Sequence, residues 1–153
     1  MTIKTSNKWG EVEQDVIKTL RSYRTRIAKL NASRAVVNMA FPSAPIANYD
    51  VIGGTPGKGT NTAEIGVHNF LDMRGQMWND IAKQEEVIRA IYDWMNTLPP
   101  DEYTVINRRY VLNQNMQKIE FETCWSVRSC WRLHYHGLKH LSESWHTLAH
   151  KLL

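Results

Sequence analysis

The sequence predicts an all-α fold, on two observations. Apolar residues recur every three or four positions in several long segments, which is the spacing of one face of an α-helix. Helix-breaking glycines and prolines are concentrated at two places, residues 41–62 and Pro99-Pro100. The breaks divide the chain into a basic N-terminal helical segment (1–40), a Pro/Gly-rich loop (41–62), a long helix for packing or oligomerisation (63–97) and a C-terminal module of short helices (98–153).

Composition and charge limit the class of protein. Hydrophobic residues make up 42% of the 153 residues, enough for a core, yet no stretch approaches the roughly 18 apolar residues of a membrane span. No apolar run follows Met1, so we expect no secretory signal and a cytoplasmic protein, in which Cys124 and Cys130 form no disulfide. The net charge is +5 over residues 1–34, −5 over 35–103 and +4 over 104–153. Basic ends are expected of a protein that neutralises phosphates, although an ordinary solvated surface has the same charge.

The N-terminal segment predicts an amphipathic helix over about residues 11–30. Its apolar stripe comprises Trp9, Val12, Val16, Leu20, Tyr23, Ile27 and Leu30. Lys18, Arg21, Thr25 and Lys29 fall on another face. This face is either a second nucleic-acid contact or the solvated side of a packed helix, and the second interpretation is favoured because charged helix faces usually meet solvent.

Residues 41–62 are predicted to form a loop. The run from Gly53 to Thr60 invites a nucleotide-binding interpretation, but a P-loop needs Ser or Thr directly after its lysine, and Gly59 follows Lys58. A long helix is predicted over residues 62–97 and ends before Pro99 and Pro100. Its apolar stripe comprises Phe70, Met77, Ile81, Ile88, Ile91 and Met95, widened by Leu71, Trp78, Trp94 and Leu98.

The C-terminal module predicts three short helices, over residues 101–111, 116–122 and 127–141. Asn115 and Ser126 are the expected N-caps of the second and third. Inward-facing residues are Val105, Ile106, Tyr110 and Ile119, then Cys130, Leu133, His134, Leu138 and Leu141. Two short helices joined by a tight turn, the second of them basic, have the geometry of a helix-turn-helix that enters the major groove of duplex DNA.

The predicted DNA-binding residues form two groups. The start of the third helix is expected to reach base edges through Ser126, Val127, Arg128, Ser129, Trp131, Arg132 and Tyr135. Arg bonds guanine through two N–H groups, Ser bonds several bases, and Val or Trp contacts a thymine methyl. Packing of Trp131 against a neighbouring helix is the alternative for that residue. Phosphate contacts, which position without specifying sequence, are expected from Arg108, Gln117, Lys118, His136 and Lys139.

Other chemistries have weaker support. Cys124, Cys130, His134 and His136 could suggest zinc, but their spacing fits no standard ligand pattern, so no metal is expected. Neither paired carboxylates nor a nucleophile with a neighbouring base stands out, and neither catalysis nor a cofactor is expected.

The same residues carry a family resemblance. They are Leu98, Val105-Ile106, Arg109-Tyr110, Ile119, residues 126–134 and Gly137-Leu138. This pattern resembles the region 4 helix-turn-helix of sigma factors and, more specifically, phage transcriptional regulators of the RinA/ArpU type. The basic N-terminal helix, the loop around residues 50–54 and the long helix fit that family too. Three positions depart from the pattern of such modules. Glu120 stands where they usually have alanine, and Cys124 where they have glycine or asparagine. Gly137 replaces the usual alanine.

The resemblance implies a transcriptional regulator, an activator of late genes at a phage promoter in the bacterial host cytoplasm that contacts host RNA polymerase. Spacing and composition alone imply only DNA binding. A DNA-packaging subunit similar to a small terminase is the alternative, because such proteins also combine a helix-turn-helix with an oligomerisation helix. We expect a homodimer, formed through the N-terminal or the long helix, since a reader of half-sites gains affinity by dimerising.

Overall fold

The computed structural model describes residues 10–40 and 62–152, with only the backbone described for residues 62–67. In these ranges the helices are α1 Glu11–Ala40, α2 Thr62–Met95, α3 Pro100–Ile106, α4 Met116–Thr123, α5 Val127–Glu143 and α6 Trp145–Leu152, with a π-helical turn, Asn107–Val111, directly after α3. No strand occurs in the described residues, so the all-α prediction is confirmed. Among these helices, none has the length and apolarity to cross a lipid bilayer. The predicted loop lies almost wholly outside the described residues, as does Trp9.

The chain divides into two compact units, and the first combines Met1–Ala28 with Glu86–Leu153. The second unit is Lys29–Glu85. Both α1 and α2 therefore contribute to both units, whereas the sequence-based segments place each helix in a region of its own. The C-terminal module shares its unit with the start of α1 and the end of α2.

The main core of the first unit is an apolar cluster to which five helices and the π-helical turn contribute. Its buried members are Val16, Leu20, Tyr23, Ile91, Trp94, Met95, Leu98, Ile106, Tyr110, Leu138, Leu141 and Leu148. Most of them belong to the stripes predicted for α1, the long helix and the C-terminal module. Burial of each such side chain contributes roughly 1.5–3 kcal/mol, so this cluster fixes the module on α1 and α2.

Helix α6 was not part of the prediction, and it is held by tryptophan contacts. The indole N–H of Trp94 donates to Ser144 Oγ at 2.8 Å. The rings of Trp94 and Trp145 lie 5.7 Å apart at a 55° tilt. Leu148 of α6 is buried in the main core. Ser144 separates α5 from α6, so the third helix of the module is followed by an eight-residue extension that closes the core.

In the second unit, the apolar residues are only partly covered. Leu30, Val37 and Ile81 are buried, and Arg34 of α1 forms an ion pair with Glu85 of α2. The large apolar side chains exposed in this unit are Val36, Met39, Phe70, Leu71, Met73 and Trp78. Phe70, Leu71 and Trp78 belong to the apolar stripe predicted for the long helix, and they are exposed in this chain because two helices bury only a narrow stripe.

Two predicted helix boundaries need correction. Helix α1 continues to Ala40, ten residues beyond the predicted end. The helix predicted over residues 101–111 is α-helical only to Ile106 and then widens into the π-helical turn, in which the N–H of Leu112 bonds the carbonyl of Asn107 at 3.1 Å. π-Helical turns are rare in proteins, and those that do occur often lie at functional sites.

Candidate nucleic-acid interface

Helices α4 and α5 are joined by the three-residue turn Cys124-Trp125-Ser126, and both begin with the predicted N-cap. Asn115 Oδ1 accepts the N–H of Lys118 at 2.8 Å, and Ser126 Oγ accepts the N–H of Ser129 at 3.2 Å. Each cap satisfies a backbone donor that has no partner within its helix. The sequence thus fixes where α4 and α5 begin, and the two N-cap predictions are confirmed.

The turn itself requires a left-handed residue. Cys124 has φ 60° and ψ 18° and ends α4, and its N–H bonds Glu120 O at 2.9 Å. Glycine adopts this conformation without a steric penalty, whereas other residues lose roughly 1–2 kcal/mol. This is why similar modules carry glycine or asparagine at this position, and Cys124 occupies it with some strain.

Glu120 connects the two helices directly. Its Oε1 accepts the N–H of Val127, the first residue of α5, at 3.3 Å. The carboxylate therefore satisfies one of the unpaired donors of α5 and places a negative charge at the positive end of that helix. Glu120, at a position where the modules that this sequence resembles have alanine, thus acts as a second cap of α5. The same hydrogen bond links the start of α5 to α4.

The inner face of α5 lies close against α3. Cys130, His134, Leu138 and Leu141 are buried there, as predicted. A Cβ atom built on Gly137 would stand 2.9 Å from Ile106 Cγ1, closer than side-chain carbons pack. Glycine at this position therefore permits the two helices to approach each other, although alanine is usual there.

His134 links the core to the exposed side of α5. Its Nε2 lies 2.9 Å from the hydroxyl of Tyr110, and its ring meets Trp131 edge-on, with centroids 5.5 Å apart. Burial, assisted by the positive charge of Arg109, lowers the pKa of His134 to about 4. The imidazole is therefore neutral at pH 7, and its ring packs against the side chain of Trp131.

The outer face of α5 is a cationic and aromatic stripe, which we define as Arg128, Trp131, Arg132, Tyr135 and Lys139. These residues follow one another at helical spacings and are exposed. Trp131 is 49% and Tyr135 53% exposed, unusual fractions for large aromatic side chains. Packing accounts for only part of Trp131, which touches His134 and leaves about half of its surface to solvent. The one acidic residue of α5, Glu143, stands at its far end.

Several other predicted site residues are also exposed. These are Gln117 and Lys118 in the first turn of α4 and His136 on α5. Ser126 and Ser129 have a structural function as well, since their hydroxyls lie 3.0 Å apart and Ser126 caps the helix.

Of two further predicted contacts, one requires correction. Val127 does not project outward, because it packs against the small cluster of Val105, Met116, Ile119 and Cys130. Arg108 forms an ion pair with Glu122, whose Oε2 also accepts Gln114 Nε2 at 3.0 Å. Arg108 therefore has a structural partner inside the module, and its phosphate contact stays a prediction.

Sequence reasoning missed a cleft on the first unit, which we call the arginine cleft. It has a volume of about 390 Å³ and is lined by Arg21, Arg24, Thr25, Arg109, Tyr110 and Asn113. Arg21 and Thr25 share the predicted basic face of α1, which was one available signal. The position of Arg109 in the cleft depends on the π-helical turn, and the sequence contains no signal that predicts this turn.

Cysteine and histidine side chains do not converge in the described residues. No group of three His, Cys, Asp or Glu side chains that would suit a metal ion occurs there. Cys124 is exposed and Cys130 is buried, and neither is in a disulfide. Burial raises the pKa of the Cys130 thiol, whose Sγ lies 3.9 Å from the carbonyl oxygen of Trp125.

Comparison with known proteins adds no assignment. The chain has no significant match among protein-family models, curated proteins or solved structures. The function is therefore inferred from the helix pair α4–α5, the stripe of α5 and the sequence resemblance.

Proposed function

We propose that this protein is a sequence-specific DNA-binding transcriptional regulator that inserts α5 into the major groove. The observation that carries the proposal is the stripe of α5. It places two free-standing arginines and two half-exposed aromatic rings on the outer side of a 17-residue helix whose inner side is anchored in the core. A major groove admits one such helix, and a rigid anchor keeps its side chains in register with base edges.

The stripe supplies the chemistry that base recognition uses. Arg128 and Arg132, one helical turn apart, present planar N–H forks that match the two acceptors of guanine. Trp131 lies between them and offers an apolar surface for a thymine methyl group. Lys139 at the end of the stripe and the neighbouring Gln117, Lys118 and His136 are suited to backbone phosphates, which set the position of the protein on the duplex.

The biological setting in this proposal comes from the sequence resemblance. On that ground the protein is a phage late-gene activator that acts at a promoter in the bacterial host cytoplasm and contacts host RNA polymerase. It has no catalytic step and no cofactor in this proposal.

A DNA-packaging subunit similar to a small terminase is the second candidate. The exposed apolar residues of the second unit favour it as much as they favour a dimeric regulator, because both proteins self-associate. Native mass spectrometry separates the two: a dimer supports the regulator, and a ring of eight or more subunits supports the packaging function.

The direct experiment is a selection from a random DNA pool, followed by binding titrations of the selected sequence over a range of salt concentrations. A recovered motif, bound with an affinity that falls steeply with salt, is the expected result. Salt-dependent binding without any motif would favour the packaging function. Absence of binding to every DNA tested would overturn the proposal.

Two alanine substitutions test the orientation of α5. Arg128→Ala should weaken binding to the selected site by about 1–3 kcal/mol and relax the preference at one base position. Lys118→Ala should weaken binding to all sequences alike and reduce the magnitude of the salt slope by about 0.9, the value for one lost phosphate contact. If both variants changed affinity and base preference in the same way, the assignment of the stripe to base edges would be wrong.

A further inference from the structure

We infer that the arginine cleft is a binding site for a phosphate group. The cleft brings two arginines of α1 together with Arg109 of the π-helical turn, residues that stand more than eighty positions apart in the sequence. The buried Tyr110, together with Thr25 and Asn113, also lines the cleft. A structural role alone does not account for three guanidinium groups around one opening.

The charges in the cleft are uncompensated. No carboxylate lines it, and in the described part of the chain neither Arg21, Arg24 nor Arg109 forms an ion pair. Both Arg21 and Arg109 act on the Tyr110 hydroxyl, where their positive charges oppose the rise in pKa that burial causes. Like charges gathered at one opening destabilise the fold, and an anion bound between them removes that cost.

The donors of the cleft match phosphate in geometry. Each guanidinium carries five N–H donors in a planar fork that fits phosphate oxygens. Arg109 is held in place because its Nη1 donates to the carbonyl of Gln114 at 3.0 Å, which leaves its remaining N–H groups available. Asn113, at φ 53°, adds an amide to the wall, and Thr25 adds a hydroxyl.

The position of the cleft points to a phosphate of the DNA backbone. Tyr110 bonds His134, and His134 contacts Trp131 of the stripe, so a chain of three side chains connects the cleft to the stripe. In helix-turn-helix proteins, elements outside the recognition helix commonly hold the backbone beside the groove. This choice of ligand rests on the proposed function, whereas the phosphate site does not. A free phosphorylated small molecule has the same chemistry and also fits a cleft of this volume.

The first test uses inorganic pyrophosphate as the probe and the full chain as the protein. Arginine Nε–Hε resonances are followed by NMR during the titration. We expect saturable shifts for Arg21, Arg24 and Arg109 in the wild type and at least a tenfold weaker affinity in the double variant Arg21→Gln/Arg24→Gln. The matched control is Lys18→Gln/Arg26→Gln, which removes the same charge from exposed positions of α1 that do not line the cleft. The control should bind pyrophosphate within twofold of the wild type.

The second test measures DNA affinity against salt for the same three proteins. Loss of backbone contacts in the cleft should reduce the magnitude of the salt slope by about 0.9 for each phosphate lost, for all DNA sequences alike. The control pair should keep the wild-type slope, since Lys18 and Arg26 lie outside the cleft.

The two tests separate the possible outcomes. Selective loss in both assays supports a DNA phosphate as the ligand, and selective loss with pyrophosphate alone supports a free phosphorylated ligand. If the cleft variant and its control behave alike in both assays, the inference is overturned, even where Arg128→Ala shows that α5 binds DNA. If the wild type binds pyrophosphate in the cleft but no DNA, the proposed function fails and the phosphate site stands.

Discussion

At the scale of single residues, the buried surroundings of His134 make the stability of the protein depend on pH. His134 is a buried polar residue on the inner face of α5, bonded to Tyr110 and in contact with Trp131. A histidine in this position contributes to folding only while its ring is neutral, since a buried imidazolium would lose its hydration. Proton uptake by His134 is therefore coupled to unfolding of the protein.

We expect the protein to lose stability as the pH falls from 6.5 towards 4. The unfolded chain takes up a proton at His134 near the ordinary pKa of 6.5, whereas the folded protein does so only near the lowered pKa of about 4. The unfolded state thus binds more protons within this window. The contribution of His134 is complete above pH 6.5, and about 3 kcal/mol of it is lost by pH 4.

Urea unfolding at pH 7 and pH 4.5 measures this effect. His134→Gln should show a weaker dependence of unfolding free energy on pH than the wild type, and the exposed His136→Gln should keep the wild-type dependence. The same pH dependence in all three proteins would contradict the prediction.

Gly137→Ala should destabilise the protein although alanine is the better helix former. Alanine gains about 1 kcal/mol in helix propensity. Against this, its Cβ would meet the buried Ile106 at 2.9 Å from Cγ1, and overpacking of this kind costs about 1–3 kcal/mol. We expect a net loss of about 1 kcal/mol in chemical denaturation. Gly75→Ala is the matched control, because nothing lies within 4 Å of its added Cβ, and it should be stabilising. A gain in both variants would show that α3 and α5 separate easily.

At the scale of helices, the sequence predicted boundaries well wherever a capping side chain or a proline marks them. Asn115, Ser126 and Pro99-Pro100 are local signals, and each helix that follows them begins as expected. The stripes of α1 and α5 were also predictable, since burial of one helix face requires apolar residues at helical spacing.

The features that escaped prediction have non-local causes or weak local signals. Residues 31–40 extend α1 with one fully buried side chain, Val37, so no apolar stripe announces them. Residues 107–111 are compatible with an ordinary α-turn, and packing selects the π-helical turn. The arginine cleft depends on the π-helical turn, because it joins residues 21–25 of α1 to that turn.

The bond between α4 and α5 yields a prediction at this scale. Glu120→Ala removes the acceptor of the Val127 N–H and the charge at the start of α5, and loss of a helix cap costs about 1 kcal/mol. We expect that decrease in the free energy of unfolding, together with weaker binding to the selected DNA site. Glu120→Gln, which keeps an acceptor oxygen but loses the charge, should fall between Glu120→Ala and the wild type. Wild-type stability of Glu120→Ala would mean that the contact does not hold α5.

At the scale of the whole molecule, the second unit exposes apolar side chains that a solitary chain has no reason to keep. Contiguous exposed apolar residues usually mark an interface. The proposed recognition of half-sites by α5 would supply a reason for a second copy, since two linked recognition helices bind a symmetric site far more tightly than one.

We therefore expect a homodimer in which Leu71 and Trp78 are covered. Leu71→Glu/Trp78→Glu should sediment as a monomer at tens of micromolar, where we expect the wild type to be a dimer, and should bind the selected site more weakly. Phe121→Glu is the control, because Phe121 is a highly exposed apolar residue of the first unit, and it should leave the dimer intact. A wild-type protein that is monomeric at this concentration would contradict the prediction.

The π-helical turn has a consequence that is simplest to state in genetic terms. An α-turn closes its hydrogen bond over four residues and this turn closes it over five, from Asn107 to Leu112. The π-helical turn therefore contains one residue more than an α-turn, which corresponds to one codon in the gene. A deletion of codon 107 would allow an ordinary α-turn at this place, in which Arg109 and Tyr110 no longer hold the positions that they have in the π-helical turn. Tyr110 is the partner of His134 and Arg109 lines the cleft, so we expect an in-frame loss of three nucleotides to affect both sites together.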